Sequence, residues 1–133
     1  MLPAIIQSHD DDAVLMLGYM NAEAFAKTIE LGEAVYYSRS REALWHKGAT
    51  SGLVQTVKQL LIDDDQDAVW LRVEVAGNGA SCHVGYRSCF YRAVPTGTSP
   101  EATDGPIALT FTESEKVFDP KEIYGDAPNP TKL

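Results

Sequence analysis

Apolar and polar positions alternate with period two from Val69 to Val75. Val69, Leu71, Val73 and Val75 fall on one side, and Trp70, Arg72 and Glu74 on the other. Successive side chains of a strand point to opposite faces, so this run predicts a strand with one buried face. Shorter apolar runs at 4–7, 13–17 and 34–38 predict further strands. The first two are joined by the polar, turn-forming stretch Ser8-His9-Asp10-Asp11-Asp12, which places His9 in solvent. Residues 53–62 have strand length, and Leu44-Trp45-His46 reads as a short strand inside a polar, glycine-bearing loop over 39–52. Gly77-Asn78-Gly79 is a strong turn signal, and strands are expected on either side of Gly85.

One segment departs from the period of two. Asn21 can cap a helix, Glu23 suits the positive end of its dipole, and Gly32 can close it in the left-handed conformation. Ala22, Phe25, Ala26 and Ile29 recur at helical spacing and are the expected buried face. After Val94 the composition shifts. Residues 95–100 read as a loop, Ile107–Thr112 as a strand, 118–120 as the start of a turn or helix, and 128–130 as extended. The fold class expected is α+β, mainly β, with a strand-rich core and one main helix. The 133 residues suffice for one domain without disulfide staples. Its core is expected over 1–94, with 95–133 as a C-terminal extension packed on the same domain.

The formal net charge of −8 argues against a general nucleic-acid or membrane-surface binder, either of which would present a basic face. The cations are nevertheless concentrated: seven of the eleven lie between Arg39 and Arg92. That segment could receive a small anion, or its charges could be solvated strand edges. No apolar run approaches the roughly 20 residues that span a bilayer, and the start lacks the pattern of a signal peptide. A cytoplasmic protein with reduced thiols is the expectation.

Three stretches carry candidate chemistry. In Asp63-Asp64-Asp65-Gln66-Asp67, an extended chain would put Asp63, Asp65 and Asp67 on one side and Asp64 on the other. Crowded carboxylates repel one another, and a hard cation such as Mg²⁺ relieves the repulsion; a solvated acidic turn is the plainer reading. The glycine and distant glutamate of a calcium EF-hand loop are missing. Cys82 and Cys89, with six residues between them, are the only cysteines. They could form a disulfide, be two unrelated buried thiols, or be two ligands of a zinc site whose third ligand comes from elsewhere; His83, His46 and Asp64 are candidates. His83 could serve as a general base or proton shuttle, or be a hydrogen-bonded residue without chemistry. Finally, Ser38-Arg39-Ser40-Arg41 and Trp45-His46-Lys47-Gly48-Ala49-Thr50-Ser51-Gly52 offer cations, hydroxyls and amides of the kind that hold phosphates, although the spacing is no Walker motif.

Together these residues resemble the phosphoribosyl-AMP cyclohydrolases of histidine biosynthesis. The resemblance runs from about residue 14 to residue 92. It rests on Val14-Leu15-Met16 with Tyr19-Met20-Asn21, Ser38-Arg39-Ser40-Arg41, Leu44-Trp45-His46-Lys47-Gly48 with Thr50-Ser51-Gly52, the aspartate cluster, and Cys82-His83-Val84-Gly85 leading to Ser88-Cys89-Phe90.

The resemblance implies an intertwined homodimer. It implies Mg²⁺ on Asp63, Asp65 and Asp67, and catalytic Zn²⁺ on Cys82 and Cys89 with a third cysteine lent by the partner subunit. That third position is Asp64 here, where the family motif has cysteine, so a Cys₂Asp site is expected. Leu53 likewise stands where many family members carry histidine. The implied reaction is hydrolytic opening of the adenine ring of 1-(5-phosphoribosyl)-AMP at the C6–N1 bond. His83 is expected to transfer the proton, and Arg39, Arg41, Lys47 and Ser51 to hold the phosphates.

Overall fold

A computed structural model describes residues 1–97 and 106–125. The strands are β1 (Leu2–Ser8), β2 (Val14–Met20), β3 (Val35–Ser38), β4 (Ala43–His46), β5 (Gln55–Ile62), β6 (Val69–Val75), β7 (Arg92–Ala93) and β8 (Thr110–Phe111); the helices are α1 (Ala22–Leu31) and α2 (Pro120–Tyr124). The fold is α+β and mainly β, as the patterning predicts. The expected extended stretch at 128–130 lies outside the described residues.

A four-stranded sheet in the order β2-β1-β6-β5 forms the body of the molecule. β1 pairs antiparallel with β2 and parallel with β6, and β6 pairs antiparallel with β5. The period-two pattern decides which face is inside. Ala4 and Ile6 of β1, Met16 and Met20 of β2, and Val69, Leu71 and Val73 of β6 are buried in one cluster with Ala24, Ala34, Val35 and Tyr36. The β3–β4 hairpin is tied to the start of β5 by bonds from Ala34 N–H to Gln55 O (2.9 Å) and from Lys47 N–H to Ala34 O (3.1 Å).

The opposite face of the sheet carries one apolar row beside the polar row Gln7, Arg72 and Gln59. Leu17, Ile5, Trp70 and Leu61 are register partners across all four strands, in that order. Leu17, Ile5 and Trp70 remain exposed at 47%, 43% and 39%. Such a row on an open sheet face is an unfilled packing surface.

Helix α1 begins and ends where expected. Asn21 Oδ1 accepts from Ala24 N–H at 2.8 Å. Gly32 takes φ 67° and its N–H reaches Thr28 O. The buried face differs from the expected one: Ala24 and Thr28 are buried, Phe25 is half-buried, and Ile29 is 61% exposed. The reason is polar. The Thr28 hydroxyl accepts from Val35 N–H (3.0 Å) and lies within donor reach of Ala24 O (2.9 Å) and Val35 O (3.1 Å). These bonds join the helix to β3 through its small-residue face and turn Ile29 outward.

No strand flanks Gly85. The stretch folds as a turn closed by Ser81 N–H to Arg87 O (2.9 Å), Cys82 N–H to Tyr86 O (3.3 Å) and Gly85 N–H to Cys82 O (3.1 Å). Gly85 has φ 104°, outside the range of an extended strand and open chiefly to glycine. Strand pairing resumes at Arg92–Ala93, which is too short to engage more than Thr110–Phe111 of the expected 107–112 strand.

Candidate metal centres

The aspartates converge through a turn and not through strand alternation. Asp63 lies just beyond β5, and Gln66 takes the left-handed conformation at φ 62°. Gln66 N–H bonds to Asp63 O at 3.1 Å, while the amides of Asp67 and Ala68 both donate to Asp63 Oδ1, at 3.0 and 3.1 Å. Carboxylate oxygens of Asp63, Asp65 and Asp67 come within 4.8 Å of one another, all three residues exposed. Hydrogen bonds to Asp63 and Asp65, reinforced by their charge, push the Asp67 carboxyl up to about 6. The hydrogen bond with Asp67 holds Asp63 low. Below that pH a proton on Asp67 relieves the repulsion that a cation would otherwise neutralise. Three oxygens of this kind, open to water, suit Mg²⁺.

Cys82 and Cys89 are both free thiols, so the disulfide alternative falls away. The two thiols act on each other: the interaction with Cys89 lowers buried Cys82 to about 7, while the interaction with Cys82 drives the exposed Cys89 strongly upward. Two thiols are fewer than the three protein ligands that a zinc site needs. Among the described residues, Asp63, Asp65 and Asp67 are the cluster that brings three potential ligands together, and no third joins Cys82 and Cys89.

The turn is anchored from β2 and from the β1–β2 connection. Cys89 N–H donates to Leu15 O (2.7 Å), and Ser88 Oγ donates to Val14 O (2.7 Å). The Arg87 guanidinium grips both oxygens of Asp11 at 2.7 and 2.8 Å, which holds the Asp11 carboxyl well below the usual carboxylate range. Beneath the turn runs a buried polar chain that sequence reading missed. Tyr36 Oη donates to Gln55 Oε1, Gln55 Nε2 reaches Ser81 Oγ at 3.2 Å, and Lys47 Nζ donates to Ser81 O at 2.9 Å. Gln55, at the head of β5 and fully buried, is the middle of this chain, and no signal in the mixed polar and apolar strand sets it apart from Gln59.

Profile comparison matches residues 16–91 to phosphoribosyl-AMP cyclohydrolase. The chain belongs to the phosphoribosyl-AMP cyclohydrolase family. A phosphoribosyl-AMP cyclohydrolase of Rhizobium leguminosarum bv. trifolii is 48% identical over 125 residues, covering 94% of this chain and 79% of the relative. One from Desulforapulum autotrophicum is 50% identical over 124 residues, covering 93% and 90%. One from Rhodopseudomonas palustris is 55% identical over 112 residues, covering 84% and 72%. Family members are hydrolases acting on a cyclic amidine, and this chain is an enzyme of that class.

The matched span contains both stretches expected to hold metals and all four expected substrate residues. Arg39 lies over the Tyr19 ring, 3.8 Å from its centroid. Arg41 bonds to Ser38 Oγ through Nε at 3.2 Å, beside Trp45. Both arginines sit exposed at the β3–β4 turn. Ser51 Oγ accepts from Leu53 N–H at 3.2 Å. His83 is half-buried beside Cys82. Lys47 points inward. It is 3% exposed, and burial pulls its ammonium pKa down while the two thiols partly restore it. Its ammonium donates to Ser81 O beneath the cysteine turn. In this cyclohydrolase Leu53 is buried, at 5% exposure, and is part of the packing.

Proposed function

We propose that the chain catalyses hydrolytic ring opening of 1-(5-phosphoribosyl)-AMP, in histidine biosynthesis, as a metal-dependent homodimer. The carrying observation is the pair of free thiols Cys82 and Cys89, held in a turn inside the span matched by the family. Zinc held by these sulfurs supplies Lewis acidity, the property that makes hydroxide available near neutral pH. Asp64 of a second copy is the third ligand, because the described residues of one chain bring only two to the turn and carboxylate oxygen is an ordinary zinc donor. The apolar row Leu17, Ile5, Trp70 and Leu61 supports the second copy, since it is the face a dimer would bury.

The remaining work falls to this chain's own groups. Arg39 and Arg41, with Ser51, hold the two phosphates, and Asp63, Asp65 and Asp67 gather Mg²⁺ to them. Substitution at ring N1 makes the adenine cationic, so C6 is open to addition of water. The C6–O bond forms, the C6–N1 bond breaks with N1 as the leaving nitrogen, and C6 stays on the imidazole as a carboxamide with its exocyclic nitrogen retained. His83 takes the proton from the water and returns it to N1. No ammonia is released. A spectroscopic assay of ring opening with purified protein, Zn²⁺ and Mg²⁺ tests the reading. Turnover that vanishes on chelation and returns with zinc is expected; absence of turnover in the fully metallated dimer would overturn it.

A further inference from the structure

The cysteine turn has a second holder, contributed by the segment after β7. Both oxygens of Glu113 are used on consecutive backbone amides, Arg87 N–H and Ser88 N–H, each at 2.9 Å. These are the two residues before Cys89. Val117 N–H donates to Gly85 O at 2.7 Å, and Thr112 contributes N–H to Tyr91 O (2.8 Å) and Oγ1 to Phe90 O (3.2 Å). Tyr86 and Tyr91 stack at 4.1 Å, and Phe111 meets both rings edge-on at 5.9 and 5.7 Å. A side chain at Gly85 would run into Phe118 O, so the segment lies directly on the turn.

The residues between the two thiols lack a strand partner and would expose these amides and carbonyls without it. The placement of Glu113 is electrostatically adverse: its charge opposes ionisation of both thiols. What it contributes is geometry, since metal ligands must be set to within about 0.2 Å and outer-shell partners do the setting. We propose that Thr110–Phe118 is a clamp that positions Cys82 and Cys89 for the metal, with Glu113 as its principal positioning residue. The inference rests on the zinc reading for its consequence but not for its geometry.

Two readouts on the full chain separate the two. In metal-free protein, the rate at which an aromatic disulfide reagent titrates the thiols reports the turn itself. Glu113→Ala should raise it at least fivefold, with Glu113→Gln, which keeps one acceptor, in between. In Co²⁺-loaded protein, the visible bands and the thiolate-to-cobalt absorption report ligand geometry. Glu113→Ala should shift the visible bands, and competition with a chromophoric chelator should show zinc affinity lower by about 10–100-fold, with KM for the substrate unchanged. A folded Glu113→Ala protein with parental thiol rates, cobalt spectrum and zinc affinity would overturn the clamp. Should that variant not fold, the same result in Glu113→Gln would overturn it. A parent protein without thiolate-to-cobalt absorption removes the zinc reading instead, and the thiol rates still decide the clamp.

Discussion

The ammonium of Lys47 lies 2.9 Å from the carbonyl oxygen of Ser81, the residue before Cys82. This buried contact puts a positive charge beneath two thiols and ties the β4 exit to the cysteine turn. Replacing it by methionine keeps the volume and removes the charge. Lys47→Met should lower stability by about 1–3 kcal/mol, the cost of leaving a buried carbonyl without its donor. It should also move the Cys82 titration upward from about 7 in metal-free protein. Thermal unfolding and ultraviolet thiolate absorbance against pH measure these effects, with KM for the substrate little changed. A large rise in KM at parental stability would return Lys47 to the phosphates.

Asp64 stands next to Asp63, in a turn and exposed, at the position where the resemblance implies cysteine. Asp64→Ala should lower zinc content and ring-opening activity together. Asp64→Cys should restore zinc, bound more tightly, because thiolate is the softer and stronger donor to this ion. Metal analysis of the purified variants decides. Unchanged zinc and activity in Asp64→Ala would remove the residue from the site.

His83→Ala should cut kcat by about 10²–10⁴-fold, the usual worth of a positioned acid–base group. KM should stay near parental. Steady-state kinetics across pH is the measurement, and full kcat in the variant would refute the shuttle.

The raised Asp67 carboxyl sets a pH dependence. Its proton leaves at about 6, above the ordinary carboxylate value, and a cation needs it gone. Mg²⁺ affinity should therefore be full above that pH and fall as the pH drops through it. Calorimetric titration with Mg²⁺ at about pH 5 and about pH 7.5 tests the sign. Asp67→Asn should abolish most of the difference.

The exposed row on the sheet gives a further outcome. Trp70→Asp places a charge among Leu17, Ile5 and Leu61 and should turn a dimer into a monomer in sedimentation. Activity should fall with it, since the third zinc ligand would leave with the second copy. A monomeric parent protein would undo the shared site.

Alternation over Val69–Val75, the capping pair Asn21 and Gly32, and the ordered motifs from Val14 to Phe90 were readable in the chain itself. They depend on local backbone preference and on neighbours within a few residues, so strands, helix and family were legible. Which helix face went inward was not, because Thr28 met a partner, Val35, brought in from β3. The aspartates met through the left-handed turn at Gln66. The charge of Lys47 went under the thiols, and Glu113 came back some 25 residues along the chain to hold the amides before Cys89. The last two pairings join segments far apart in sequence, where no periodicity links one partner to the other and only packing of the whole chain selects them.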